Sequence, residues 1–157
     1  MSSLLAELGA FYTLVAPLAG VFVGFVLAQG VEWRRRRRRQ RAHWGALRAE
    51  IEFCKERAEE YRKASVAAPL YRLPSMTYSH SLPVLLGDGA VRVSEMKAFI
   101  QFFSEVETLN RGLDLIQAAR ERGDAQTMGA ERERNLLKIQ ILLDLHRPAR
   151  EAADGHL

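Results

Sequence analysis

The uncharged stretch LGAFYTLVAPLAGVFVGFVLAQGV, residues 8–31, runs directly into the strongly basic stretch EWRRRRRRQR, residues 32–41. As an α-helix, the 21 residues from Leu8 to Ala28 rise about 31 Å. The hydrocarbon core of a bilayer is about 30 Å thick. A core helix of a soluble protein seldom stays apolar on every face for so many turns. The sequence therefore predicts a transmembrane helix within residues 8–31.

A cleaved signal peptide is the main alternative for an apolar segment this close to Met1. Signal peptides carry basic residues before a shorter apolar run and end at a cleavage site of the A-x-A type. Here no Lys or Arg precedes the run, and the AQG of residues 28–30 does not fit that pattern. We expect the segment to be a signal-anchor that stays in the mature protein.

The charges that flank the predicted span indicate its orientation. Basic residues near a span are retained on the cytoplasmic side of the membrane. Before the span the chain has only the terminal amine and Glu7, whereas seven arginines follow it within eight residues. We expect residues 1–7 to lie outside the cytoplasm and the chain after Val31 to lie inside it. Trp33 stands where interfacial aromatic residues are enriched.

The basic segment has three possible ligands. Arginines beside an anionic leaflet each contribute about 1 kcal/mol of binding, so lipid headgroups alone explain the run. A nucleic-acid site would need further aromatic or basic residues for readout, and Trp44 alone does not provide them. A protein docking motif would need an acidic partner. We predict contact with anionic headgroups, and no nucleic-acid partner, for Trp33, Arg34, Arg35, Arg36, Arg37, Arg38, Arg39 and Arg41.

Small residues recur every four positions in the predicted span, at Ala16, Gly20, Gly24 and Ala28. In a helix this spacing places them on one side. Small side chains let two membrane helices approach each other closely. The alternative is that Gly and Ala are simply common in membrane helices. We predict a helix-packing face, with a second copy of the chain or another membrane protein as its partner.

The rest of the composition fits an intracellular domain. A single Cys excludes an intramolecular disulfide, as expected of a reducing compartment. The formal net charge is +4, and the seven arginines of the basic segment exceed it, so the remainder of the chain is slightly acidic. The residues after that segment are enough for one small domain.

The first helical segment after the arginines carries an apolar seam with heptad spacing. Its positions are Trp44, Leu47, Ile51, Cys54, Ala58, Tyr61, Ser65 and Ala68. A two-stranded coiled coil would favour larger aliphatic side chains at such positions. We therefore favour one face of an intramolecular bundle, and the coiled coil remains the alternative. Cys54 is predicted to be a small core residue and not a nucleophile.

Two further helical segments follow. One extends from about Ser94, as its N-cap, to about Arg122, and the other from about Ala130 to His146. Pro148 is predicted to stop the last helix, because proline disrupts a helix interior.

The regions between these helices are predicted to be loops. Residues 69–93 are rich in Pro and Gly, and within them Ser81 is predicted to cap a short helical turn that Gly87 closes. RGDAQTMG, residues 122–129, is predicted to be a loop.

These segments predict an all-α protein. A single N-terminal transmembrane helix continues into a small cytoplasmic antiparallel bundle of three main helices plus a short helical turn. The predicted domains are a short external N-terminus (1–7), an anchor (8–31) and a basic juxtamembrane segment (32–41). They are followed by the bundle (42–147) and a flexible tail (148–157). Burial of one apolar face per helix predicts a core. Its predicted members are Leu47, Ile51, Tyr61, Leu85, Ile100, Phe103, Val106, Leu113, Leu136, Ile139 and Leu143.

Catalytic and metal-binding motifs are missing from the sequence. It has no H-E-x-x-H, no phosphate-binding glycine loop and no G-x-S-x-G. We expect neither enzymatic activity nor a cofactor. One class of function is an anchored interaction or accessory protein that assembles with itself or with a larger membrane complex. The alternative is an oligomeric effector whose spans form a pore. Because the span has few polar residues beyond Tyr12, Thr13 and Gln29, and an ion path normally needs polar lining, we favour the first.

Overall fold

The computed structural model describes the backbone of residues 2–67 and 70–157 and the side chains of residues 20–67 and 70–157. Most of these residues lie in helices, and the described chain contains no strand. The helices are α1 (Ser2–Lys63), α2 (Met76–Gly87), α3 (Val93–Glu121) and α4 (Ala125–Asp154). The predicted all-α class is confirmed.

Helix α1 passes through both compact units of the chain, Met1–Arg39 and Gln40–Leu157. Within the residues that the structure describes, no helix is both long enough and apolar enough to cross a membrane. The predicted span of residues 8–31 finds no support there, and its residues 8–19 lie outside the described side chains. It stays a prediction.

The predicted seam of α1 is buried along most of its length. Residues three and four apart share one side of a helix, so the seam forms a continuous apolar face. Its buried members are Trp44, Leu47, Ile51, Cys54, Ala58 and Tyr61. They form one hydrophobic core with side chains from α2, α3 and α4. The chain's own helices therefore cover the seam, as expected for an intramolecular bundle.

Helix α1 ends at Lys63, so the last two seam positions do not extend the buried face. Ser65 and Val66 adopt left-handed backbone conformations, with φ of 49° and 54°. The Val66 N–H donates to the Tyr61 carbonyl at 2.8 Å, which satisfies one of the last carbonyls of the helix. Val66 is buried and Ser65 is exposed. Ala68 lies outside the described residues.

Neighbouring helices in Gln40–Leu157 run in opposite directions, as predicted. Both α2 and α4 are antiparallel to α1, and α4 is antiparallel to α3, because paired residues follow opposite orders along the two helices. For α1 and α2 the polar pairs are Gln40–Asp88 and Glu50–Thr77. For α1 and α4 they are Arg48–Asp154 and Glu52–His146. For α3 and α4 they are Glu95–His156 and Thr108–Lys138.

The predicted core is wrong at Ile100, which is 44% exposed. Two adjoining stripes of α3 are apolar, and packing selects the stripe that contains Phe99 and Phe103. In α4, Leu136 and Leu143 are only partly buried against the core. The predicted members that are buried are Leu47, Ile51, Tyr61, Leu85, Phe103, Val106, Leu113 and Ile139. Buried apolar residues outside the predicted set include Leu73, Leu82, Phe102, Leu109, Ile116, Leu142, Ala149 and Ala153.

The predicted short turn capped by Ser81 is a helix of 12 residues, α2, which begins at Met76. Its first turn is capped by Glu50 of α1. The buried Glu50 carboxylate accepts the N–H groups of Thr77 at 2.9 Å and of Tyr78 at 2.7 Å. A carboxylate at this position satisfies free N–H groups and also complements the helix dipole. Because the cap comes from another helix, the local sequence could not reveal it.

Both ends of α4 differ from the prediction. RGDAQTMG is not a loop throughout, because Asp124 is an N-cap whose carboxylate accepts the Thr127 N–H at 3.0 Å. Hydrogen bonding with Thr127 lowers the pKa of Asp124. Pro148 does not stop the helix, which continues to Asp154 and buries Ala149 and Ala153. Burial of this last segment compensates for the hydrogen bond that proline cannot donate.

Candidate functional site

The arginine segment of α1 surrounds the helix instead of lining one face. Successive residues of an α-helix are rotated by about 100°, so six in a row cover every side within a rise of about 8 Å. We call Arg34–Arg39 the arginine collar. Each of its side chains is exposed, as is Arg41 in the following turn. A collar of this kind presents positive charge in all directions at one level of the helix.

Trp33 lies directly before the collar, and its side chain is 59% exposed. The guanidinium carbon of Arg37 stands 5.1 Å from the centroid of the indole ring. This is a cation–π contact of the kind that holds an arginine against an aromatic face. The residues predicted to contact headgroups are thus accessible and adjacent.

The helix before the collar has an exposed apolar surface on all sides. Val21, Phe22, Val23, Phe25, Val26 and Leu27 are each at least half exposed. Within this stretch the structure describes three of the four predicted packing positions, Gly20, Gly24 and Ala28, and all three are exposed. A Cβ atom built on Gly20 or Gly24 would meet no atom within 4 Å. The side chain of Ala16 lies outside the described residues.

Cys54 is buried in the bundle and is held as a thiol. Its sulfur donates to the Pro74 carbonyl at 3.3 Å. Burial, with a smaller contribution from the charge of Glu50, raises the pKa of Cys54 to about 12. A nucleophilic cysteine needs the thiolate form, so this thiol is a core group. The predicted core position of Cys54 is confirmed.

The histidines lie at separate places in the bundle. His43 Nδ1 is 3.0 Å from the Ser81 hydroxyl, and the His156 ring stacks on Trp44 with centroids 4.2 Å apart. His146 is buried beside Glu52, and burial lowers the pKa of His146 although the carboxylate opposes this shift. Among the described residues, no three His, Cys, Asp or Glu side chains are placed to hold a metal ion.

A ladder of ion pairs joins α1 to α4, and sequence periodicity did not indicate it. Arg48 Nε is 2.7 Å from an Asp154 oxygen. Arg150 Nε lies 3.2 Å from the other Asp154 oxygen and 3.1 Å from Glu52, which also contacts His146 at 3.3 Å. Apart from the buried His146, these groups are partly exposed, so the ladder fixes the alignment of the two helices more than it adds stability.

The segment of residues 70–75, which we call the strap, crosses α3 and is held there by polar contacts. The Asn110 side chain accepts the Leu73 N–H at 2.7 Å and donates to the Leu73 carbonyl at 2.9 Å. Arg72 bonds Asp114 through two nitrogens. A shallow cavity of about 230 Å³ beside the strap is lined by Arg72, Ser75, Glu107, Asn110 and Arg111. Its arginines are balanced by carboxylates, and it contains no nucleophile paired with a base.

Comparison of the chain with protein-family models, with curated proteins and with solved structures found no match. The features of the chain that bear on its function are its own surfaces, chiefly the apolar segment of α1 and the arginine collar.

Proposed function

We propose that this chain is a single-pass membrane protein whose helical bundle is a cytoplasmic interaction module. The N-terminal part of α1 is the anchor, with its beginning outside the cytoplasm. The bundle then assembles with a second copy of the chain or with a larger membrane complex, and it acts by binding and not by catalysis.

The observation that supports the anchor best is the exposed apolar surface on every side of α1 before the collar. Residues 21, 22, 23, 25, 26 and 27 point in directions that span about 240° of the helix circumference, and the exposed small residues Gly20, Gly24 and Ala28 occupy the remaining sector. One partner helix would cover only one face, whereas lipid tails surround a helix completely. Contiguous exposed apolar surface of this kind marks a membrane or protein contact.

The arginine collar supports the proposed position and orientation. Lipid headgroups surround a helix that leaves a bilayer, and each headgroup layer is about 5–7 Å thick. The collar rises over about 8 Å and is exposed on all sides, so it matches this layer in height and in symmetry. A nucleic-acid groove, by contrast, contacts one side of a helix. Seven arginines on this flank also give the cytoplasmic orientation by the positive-inside rule.

A reporter fusion tests the proposed topology. A reporter that is active only in the cytoplasm, fused after Leu157, should be active, and the protein should remain in the membrane fraction after alkaline carbonate extraction. Replacement of Arg34–Arg39 by glutamine should produce a mixed orientation, because few other charges flank the anchor. Extraction of the protein by carbonate, or activity of a reporter that works only outside the cytoplasm, would refute the proposal. Ion leakage from liposomes that contain the full chain would favour a pore instead.

A further inference from the structure

One side of α4 is exposed along most of its length and has an apolar centre. Leu137 is 69% exposed and Ile141 is 47% exposed. The two residues are four positions apart, so they lie one turn apart on the same side of the helix. Buried residues of α4, among them Asn135, Ile139 and His146, lie on the opposite side. The exposed side, which we call the outer face, is therefore available to a partner.

Opposite charges flank the apolar centre along the outer face. Arg134 lies one turn before the apolar pair, and Asp144 lies one turn after it. The Arg134 side chain is mostly exposed, although one of its nitrogens contacts Glu131. Asp144 is exposed and accepts a hydrogen bond from Gln140 at 3.0 Å, and this neutral donor does not cancel the carboxylate charge. The order along the face is thus basic, apolar, apolar, acidic.

This order is complementary to itself in one direction. When Leu137 packs on Ile141 of an antiparallel second copy, the same register brings Arg134 against Asp144 of that copy, because both pairs are centred on Ile139. In a parallel pair each residue would face its own equivalent, so Arg134 would lie against Arg134. Like charges at such positions are destabilising. The outer face therefore fits an antiparallel second copy.

The ends and one edge of the outer face agree with the same register. Ala130 and Pro148 are exposed and have the same centre, so small apolar side chains meet beyond the ion pairs. Glu133 and Arg147 are exposed along one edge, and antiparallel pairing brings the equivalent edges of two copies together. Arg147 lies 3.9 Å from Glu151 of its own chain, a loose contact that leaves it able to meet Glu133 of the second copy.

We propose that two copies of the chain pair through the outer faces of their α4 helices, antiparallel and related by a two-fold axis at the level of Ile139. The inference rests on the proposed function, whose assembly with a second copy it locates on one surface of the bundle. The same surface of each copy provides both halves of the contact, so assembly through it closes at a dimer. One pair of helices buries less area than a standard protein interface, so the pairing is reversible and depends on concentration.

Disulfide trapping of the full chain in detergent tests the partner and its direction, because detergent lets two copies approach in either direction. A Leu137→Cys protein, with a tag that alters its gel mobility, is mixed with an untagged Ile141→Cys protein under a mild oxidant. The mixed disulfide should exceed its statistical share. Two copies of the cysteine at position 137 would be offset by about 6 Å along the helix axis, which disulfide geometry does not allow.

A Leu115→Cys protein, used in place of Ile141→Cys, is the matched control for random collision. Leu115 is 50% exposed, close to the 47% of Ile141, but it belongs to α3 and lies off the outer face. Cys54 is buried and has a pKa raised to about 12, so it stays a thiol at neutral pH.

A charge exchange tests the register by sedimentation. Glu133→Arg should weaken dimerisation by about tenfold, because it places like charges together at two symmetric contacts. Addition of Arg147→Glu should restore the dimer, because opposite charges then meet again. A double variant as weak as Glu133→Arg alone would refute this register.

The trapping experiment separates the pairing from the anchor. A mixed disulfide no more abundant than in the Leu115→Cys control, or an excess of the Leu137→Cys homodimer, would refute the pairing and leave the anchor standing in protein that resists carbonate extraction. Capture of a different protein by Leu137→Cys in native membranes, in place of the second copy, would refute the pairing too. Protein that carbonate extracts, yet that forms the mixed disulfide, would refute the anchor and support the pairing.

Discussion

Replacement of Gly112 by alanine tests the close contact between α3 and α4. A Cβ atom on Gly112 would lie 2.0 Å from Asn135 Oδ1 and 2.6 Å from Asn135 Cγ. Asn135 is fully buried, so its side chain has no solvent-filled space into which it can move. The glycine is therefore required by the neighbouring helix, and α3 by itself would favour alanine.

Two opposing contributions determine how far Gly112→Ala changes the free energy of unfolding. Alanine is favoured over glycine in a helix interior by about 1 kcal/mol. Overpacking of a core costs about 1–3 kcal/mol. Because the added carbon would overlap a fully buried side chain, we expect Gly112→Ala to lower the free energy of unfolding by up to about 2 kcal/mol. Gly129→Ala is the matched control, because Gly129 is an exposed position of α4 whose added Cβ would meet nothing within 4 Å. It should stabilise the protein by up to about 1 kcal/mol.

A double-mutant cycle with Asn135→Ala isolates the contact. Neither polar atom of the Asn135 side chain has a hydrogen-bond partner among the described residues, so its removal leaves no donor or acceptor newly unpaired. Truncation opens the space that the Gly112→Ala methyl group needs. We expect the double variant to be more stable than the sum of the single effects by about 1–3 kcal/mol, within the range seen for residues in contact.

The measurement is urea unfolding of the full chain, followed by far-ultraviolet circular dichroism in one detergent. Unchanged denaturant slopes would show that the variants alter stability and not the unfolded state. Equal stabilisation by Gly112→Ala and Gly129→Ala, or additive effects in the cycle with Asn135→Ala, would refute the reasoning.

Three further predictions address other parts of the chain. Gly24→Leu should weaken self-association in a membrane two-hybrid assay and Val23→Leu should not; equal signals would mean that the small face does not join two copies. Ser65→Gly should raise the thermal midpoint, because glycine adopts a left-handed φ of 49° without the cost of about 1–2 kcal/mol that other residues incur. A fragment of residues 40–157 should unfold cooperatively without the anchor. A fragment of residues 40–150 should be less stable, because it lacks the last packed turn of α4. Equal thermal midpoints for the two fragments would contradict this.

The apolar periodicity of α1 was sufficient to predict its packed face. Trp44, Leu47 and Ile51 are buried as the heptad spacing indicated. This succeeds because side-chain direction in a regular helix follows from position alone. The same reasoning failed at Ile100 in α3, where two apolar stripes adjoin and only the arrangement of the other helices selects one of them.

The predicted helix ends were less accurate, for a related reason. The N-terminal cap of α2 is Glu50, a residue distant in sequence that α1 brings to the first turn. Pro148 remains within α4 because the alanines after it are buried, although its local effect is to interrupt a helix. Gly112 and Asn135 likewise become partners only when α3 and α4 meet.

The sequence by itself determined the helical class, the buried face of α1 and the position of the basic segment, because each depends on spacing along one chain. Tertiary structure alone decided which stripe of α3 is buried, which carboxylate caps α2 and how far α4 extends. These features depend on contacts between residues far apart in sequence. Their free energies exceed local preferences of about 1 kcal/mol per residue.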